Sequence, residues 1–136
     1  MGHPKTRLVL AALGGATVAA GLGVRAAFDG PLAKYGGVAL WAVLVYWLVL
    51  TVRPAMSVRL AAALTLAISW AVEFAQLTPV PAWLSSKHVV LRLVFGTTFH
   101  PPDLLALAGG VLLGAWLHWG CVSSGARAHT RPVETP

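Results

Sequence analysis

One carboxylate stands out by its position. Glu73 lies about four residues inside the end of an apolar run, Leu60–Leu77, where an ionised acid costs on the order of 2–4 kcal/mol unless it is paired or wet. Thr65, Ser69, Glu73 and Gln76 follow a 4-4-3 spacing. On a helix that spacing gathers all four into about a quarter of the circumference. Such a stripe does one of two things in a membrane: it bonds across to other helices, or it walls a polar cavity. Thr65 and Ser69 read as interhelical glue, Glu73 and Gln76 as cavity wall. Glu73 then needs a cation. Arg92, flanked by Leu91 and by Leu93-Val94-Phe95, has its backbone in an apolar block and a head that must find charge or water, so it is the first expected partner, with Lys87 the second.

Asp103 stands just before the last apolar run and behind Pro101-Pro102, where an acid caps the helix and meets its positive end; an outward polar site is its other reading. With Lys87 and Trp83 it completes the candidate ligand-binding set of Glu73, Gln76, Arg92, Asp103, Lys87 and Trp83. His100 beside Asp103 hints at a metal, but two ligands do not make a site and His88 is a weak third, so no metal and no cofactor are expected. The chain has no phosphate loop, nucleophile elbow, Cys pair or HExxH motif.

The elements that must hold these residues are membrane helices. The 136 residues are 57% hydrophobic and 10% charged, with mean hydropathy +0.75, against about 45–50% and about 25% for soluble domains. Four acids, Asp29, Glu73, Asp103 and Glu134, are scant material for a soluble acid/base enzyme. Apolar runs at Leu8–Val24, Tyr35–Val52, Leu60–Leu77 and Leu104–Val122 match about 20 residues per span. They predict an all-α four-helix transmembrane bundle as a single domain over 1–122. The first run exceeds a signal peptide's apolar region of about 7–15 residues and reads as a retained helix. Residues 123–136 read as a disordered cytoplasmic tail. Pro79–Asp103, too short and too charged to cross, reads as an interfacial or re-entrant segment that bends at Gly96-Thr97-Thr98.

Short-loop charge sets the expected orientation. Lys5, Arg7, Arg53, Arg59, Arg127 and Arg131 fall on one side, and Arg25, Lys34, Lys87 and Arg92 on the other, which predicts both termini in the cytoplasm. The net charge of +6 is spread between apolar runs with no basic cluster, so nucleic acid is not an expected partner; the bilayer is. Ala11/Gly15/Ala19/Gly23 and Ala106/Gly110/Gly114/His118 repeat every four residues. Both are small-residue faces that allow close helix packing, and the Gly110/Gly114 face also offers a route to a homo-oligomer. Trp41, Trp47, Trp83, Trp116, Trp119 and Tyr35 read as interfacial belts. Lone Cys121 reads as an inert thiol.

Glu73-Phe74-Ala75-Gln76-Leu77, Trp83-Leu84, Phe95-Gly96-Thr97-Thr98-Phe99, Asp103-Leu104-Leu105 and Gly109-Gly110 come in an order, led by Lys34-Tyr35-Gly36-Gly37, that resembles a small bacterial membrane family. It is known as domain of unknown function 2809, and is itself similar to the VanZ-like teicoplanin-resistance proteins. The resemblance spans roughly Tyr35–Gly114. It departs at Val38, where the family tends to carry an acid, and at Leu107, where it tends to carry tyrosine. It implies a membrane fold and a bacterial cell-envelope setting, with no established reaction. Three functions follow as expectations. The first is a non-enzymatic membrane protein whose outward polar cavity binds a lipid headgroup or lipid-linked cell-wall precursor. The second is a membrane enzyme on a lipid-linked substrate with Glu73 as acid or base. The third is a structural assembly partner.

Overall fold

The computed structural model describes residues 4–128. These form α1 (Pro4–Ala27), α2 (Gly30–Val52), α3 (Val58–Ala75), α4 (Pro79–Lys87), α5 (Val89–Phe95) and α6 (Pro101–Ala128), with no strand among the described residues. α1, α2, α3 and α6 are long and apolar enough to cross a membrane, and the chain is an all-α membrane bundle. α6 runs on as helix to Ala128, beyond the expected end at Val122; positions 129–136 of the expected tail lie outside the described residues.

Local chemistry sets the joints. α1 and α2 are linked by Phe28 and Asp29 alone, a reversal helped by Gly30 at φ 68°, where a side chain would be strained. Pro31 sits in the first turn of α2, where its missing N–H costs nothing. α2 stops at Arg53, before Pro54. α3 is capped by Ser57, whose Oγ accepts from Leu60 N–H at 3.4 Å. Pro79 opens α4, and His88 breaks α4 from α5 with extended backbone while its Nδ1 accepts from Val90 N–H. Asp103 does not cap α6. Pro101 and Pro102 occupy the first turn, whose N–H groups have no helical partner in any case, so the helix begins two residues before Asp103.

α2 is the centre of the bundle. It packs against α1, α6 and α3, and α3 packs against α6 in turn. Ala42, Tyr46, Ala61, Leu107 and Val111 form the core where α2, α3 and α6 meet. The small-residue face of α6 makes that seam possible. A Cβ on Gly110 would run into the Ala39 carbonyl oxygen, and one on Gly114 would lie 2.9 Å from the Tyr46 ring. These two glycines are therefore packed inside the chain. The face expected on α1 is not the packed one: a Cβ on Gly15 or Gly23 would meet nothing within 4 Å. α1 instead buries Leu10, Gly14 and Thr17, because its apolar composition is nearly uniform and small size alone does not choose a side. Trp47 also departs from the interfacial belt: it is buried, edge-on to Tyr46, while Trp83, Trp116 and Trp119 are exposed.

At the end of the seam nearer the chain termini, fully buried Tyr46 lies with its Oη 3.0 Å from His118 Nδ1. Removing the tyrosine hydroxyl strands His118 Nδ1, at about 1–3 kcal/mol for a buried polar group; removing the histidine leaves the hydroxyl only its longer bond to Val58 O at 3.4 Å. Tyr46→Phe and His118→Ala should each lower the unfolding midpoint in detergent. The Tyr46→Phe/His118→Leu double variant should lose less than the sum; strict additivity would mean that the contact carries no stability.

Candidate functional site

The C-terminal ends of α1 and α3 meet the N-terminal ends of α2 and α6, with α5 alongside, around a cavity of about 730 Å³. Its polar wall comes from every one of these elements: Arg25 from α1, Lys34 from α2, Ser69, Glu73 and Gln76 from α3, Arg92 from α5, and Asp103 from α6. Its apolar wall includes Leu40, Trp41 and Leu44 deep in the bundle. Val18 and Leu22 of α1 and Val90, Leu93 and Val94 of α5 line the same cavity, yet each is more than 40% exposed. Exposed apolar side chains of α1 and α5 thus border the cavity, beside Arg25, Lys34, Arg92, Thr97 and Thr98, which are exposed as well.

Glu73 is 5% exposed. Its expected ion pair with Arg92 or Lys87 is not formed; the ion pairs among the described acids and bases belong to Asp103. In its place the backbone N–H of His100 donates to Glu73 Oε1 at 2.9 Å. Phe99, stacked on Phe74 with ring centroids 5.9 Å apart, holds the incoming loop over the end of α3 and so delivers that donor. Asp103, 7% exposed, has Oδ1 3.5 Å from Lys34 Nζ and 3.4 Å from His100 Nδ1. The lysine contact is one of charge, and neither is an aligned hydrogen bond. His100 thus joins the two carboxylates, by its backbone to one and its ring to the other.

Gln76 lines the cavity, but its amide is already engaged: Nε2 donates to Phe95 O at 2.8 Å. Ser85 Oγ donates to the next carbonyl, Gly96 O, at 2.6 Å. Together they pin the sharp turn at Gly96, φ 65°, and with it the end of the helix that carries Arg92. A Cβ at Gly96 would lie 2.7 Å from Gln76 Nε2, so only glycine fits this turn. Lys87 and Trp83 do not reach the cavity. Lys87 Nζ sits 5.3 Å above the Trp83 ring on α4, both of them exposed. His88 is occupied in its own helix cap, and among the described residues no three His, Cys, Asp or Glu side chains gather as a metal site.

Arg25 and Lys34, cations on Glu73's expected side that the sequence ranks behind Arg92 and Lys87 as its partner, are wall residues. Arg25 reaches in because Gly37 leaves room: a Cβ there would lie 3.1 Å from Arg25 Nε. Ser69 was read as glue, and it is not. Ser69 is 1% exposed with an Oγ that has no hydrogen-bond partner, while it lines the cavity. Thr17 and Thr51 bond their own i−4 carbonyls at 2.7 and 2.8 Å; Ser69 does not, so its hydroxyl is left for whatever enters. Buried polar atoms in native proteins nearly always have a partner, protein or otherwise.

A family model described as protein of unknown function (DUF2809) matches residues 28–111, from the start of α2 to the middle of α6 and so every polar wall residue named above except Arg25. No curated protein and no solved structure matches the chain.

Proposed function

The chain belongs to the DUF2809 family, and from that footing we propose that it is a non-enzymatic membrane protein whose cavity binds a lipid by its polar headgroup. The observation that carries this reading is that buried acids and exposed cations share one cavity with exposed apolar side chains of α1 and α5. A water-soluble ligand would gain nothing from that apolar border; a lipid keeps its chains against it in the bilayer while its head reaches the charged residues. In this reading both termini are cytoplasmic, from the loop charge asymmetry, and the cavity opens on the outer side of a bacterial cell membrane. The reading extends to a cell-envelope setting, as the expected similarity of the family to VanZ-like proteins implies, with a lipid-linked wall precursor among the lipids of that kind.

Native mass spectrometry of the purified protein tests this. The wild type should keep a lipid through delipidation that strips the annular shell. Leu22→Trp and Val94→Trp crowd that border at exposed positions and should lower the retained fraction about tenfold, roughly 1.4 kcal/mol of binding. A wild type that retains no lipid, or border variants that retain as much as the wild type, would overturn the reading.

A further inference from the structure

We infer that the lipid this cavity takes is one with an anionic phosphate head, clamped between Arg25 and Arg92; the inference rests on the lipid reading above and names its class. The charges on the wall decide the sign. Arg25, Lys34 and Arg92 face Glu73 and Asp103 across the cavity, leaving one positive charge uncompensated. The carboxylates already have partners: Lys34 lies 3.5 Å from Asp103, and His100 N–H donates to Glu73. Arg25 and Arg92 form no ion pair among the described residues. An uncompensated cation at a membrane cavity calls for an anion, and a single phosphodiester charge closes the balance.

The identity of the cations points to phosphate. Each guanidinium presents a planar fork of donors that fits two oxygens of one phosphate, and it keeps its charge at any physiological pH. Arg25 comes from α1 and Arg92 from α5, the two helices whose exposed apolar side chains border the cavity, and both side chains are exposed, so a head approaching past that border meets both forks. Thr97 and Thr98, in the turn after Gly96, line the same space and add hydroxyl donors. Behind them Ser69 Oγ, buried and unpartnered, faces into the cavity as a donor for a head-group oxygen or its water. The exposed apolar side chains of α1 and α5 at the border then receive the acyl chains. Free phosphate shares the head's chemistry but gains nothing from that apolar border.

The test loads the purified full chain, in detergent, with equal phosphatidylglycerol and diacylglycerol of matched chains and reads bound lipid by native mass spectrometry. The wild type should hold phosphatidylglycerol at least about tenfold over diacylglycerol. Arg25→Ala/Arg92→Ala should erase that preference while eluting as a monodisperse species, and Arg25→Lys/Arg92→Lys should keep part of it. Millimolar inorganic phosphate should not displace the lipid. Equal retention of both lipids by the wild type, or an undiminished preference in the folded double alanine variant, would overturn the phosphate assignment and leave the lipid reading standing. Retention of neither lipid would overturn both. Displacement of phosphatidylglycerol by millimolar inorganic phosphate would make free phosphate the ligand and overturn the lipid source.

Discussion

Gly110→Leu should unfold the bundle or leave it aggregated in mild detergent, whereas Gly15→Leu should behave as wild type. A side chain at Gly110 has no space, since its first carbon alone meets the Ala39 carbonyl oxygen and the Ala42 methyl. α2 and α6 would have to part along their whole contact, exposing Tyr46, Leu107 and Val111. Overpacking a tight interior costs about 1–3 kcal/mol where side chains can adjust; here the obstacle is backbone, so the loss should reach about 3 kcal/mol or more. Gly15 has open space around it. Thermal unfolding followed by size-exclusion fluorescence separates the two. Equal midpoints would refute the seam as described.

The second large effect belongs to Asp103. Lys34→Glu sets a second carboxylate against it, in a place where Asp103 is buried and Lys34 is about half exposed, with side-chain exposures of 10% and 44%. Solvent at Lys34 weakens the exchange, which should still cost on the order of 1–3 kcal/mol. Lys34→Glu/Asp103→Lys restores opposite charges and should recover a good part of the loss. It will not recover all of it, because a lysine in the first turn of α6 opposes the helix dipole. A double variant as unstable as the sum of its singles would show that the contact is incidental.

These contrasts mark what could be read from the chain alone. The four long helices were legible because apolar length is a one-dimensional property, and α3's polar stripe was legible because 4-4-3 spacing fixes a face. Glu73 was correctly singled out as a buried acid that needs compensation. Its partner was not legible, since it is a backbone N–H at His100 rather than a side chain, and every residue carries one. The order of the α1 and α6 glycine stripes could not reveal which of them would be packed; the patterns are alike, and only the presence of Ala39 and Tyr46 opposite one of them separates the two. The Tyr46–His118 contact joins residues 72 positions apart, and no local pattern links them. Arg25 and Lys34 sat in view among the cations on Glu73's side, but nothing in their spacing ranked them above Arg92 and Lys87.

The fit of Gly110 against Ala39 has a consequence for motion. Where two helix backbones touch, with no side chain between them to change rotamer, sliding or tilting has no soft coordinate, and the α2–α6 pair moves as one body. α1 rests chiefly on α2, and α5 on α4, and these two supply the apolar border of the cavity. Breathing of the protein is then confined to its flanks: amide exchange should be slowest along residues 39–50 and 107–114 and fastest along α1 and α5. The seam works as a keel, and on the lipid-binding reading the swing of two light side walls against it would set how quickly the cavity exchanges its contents.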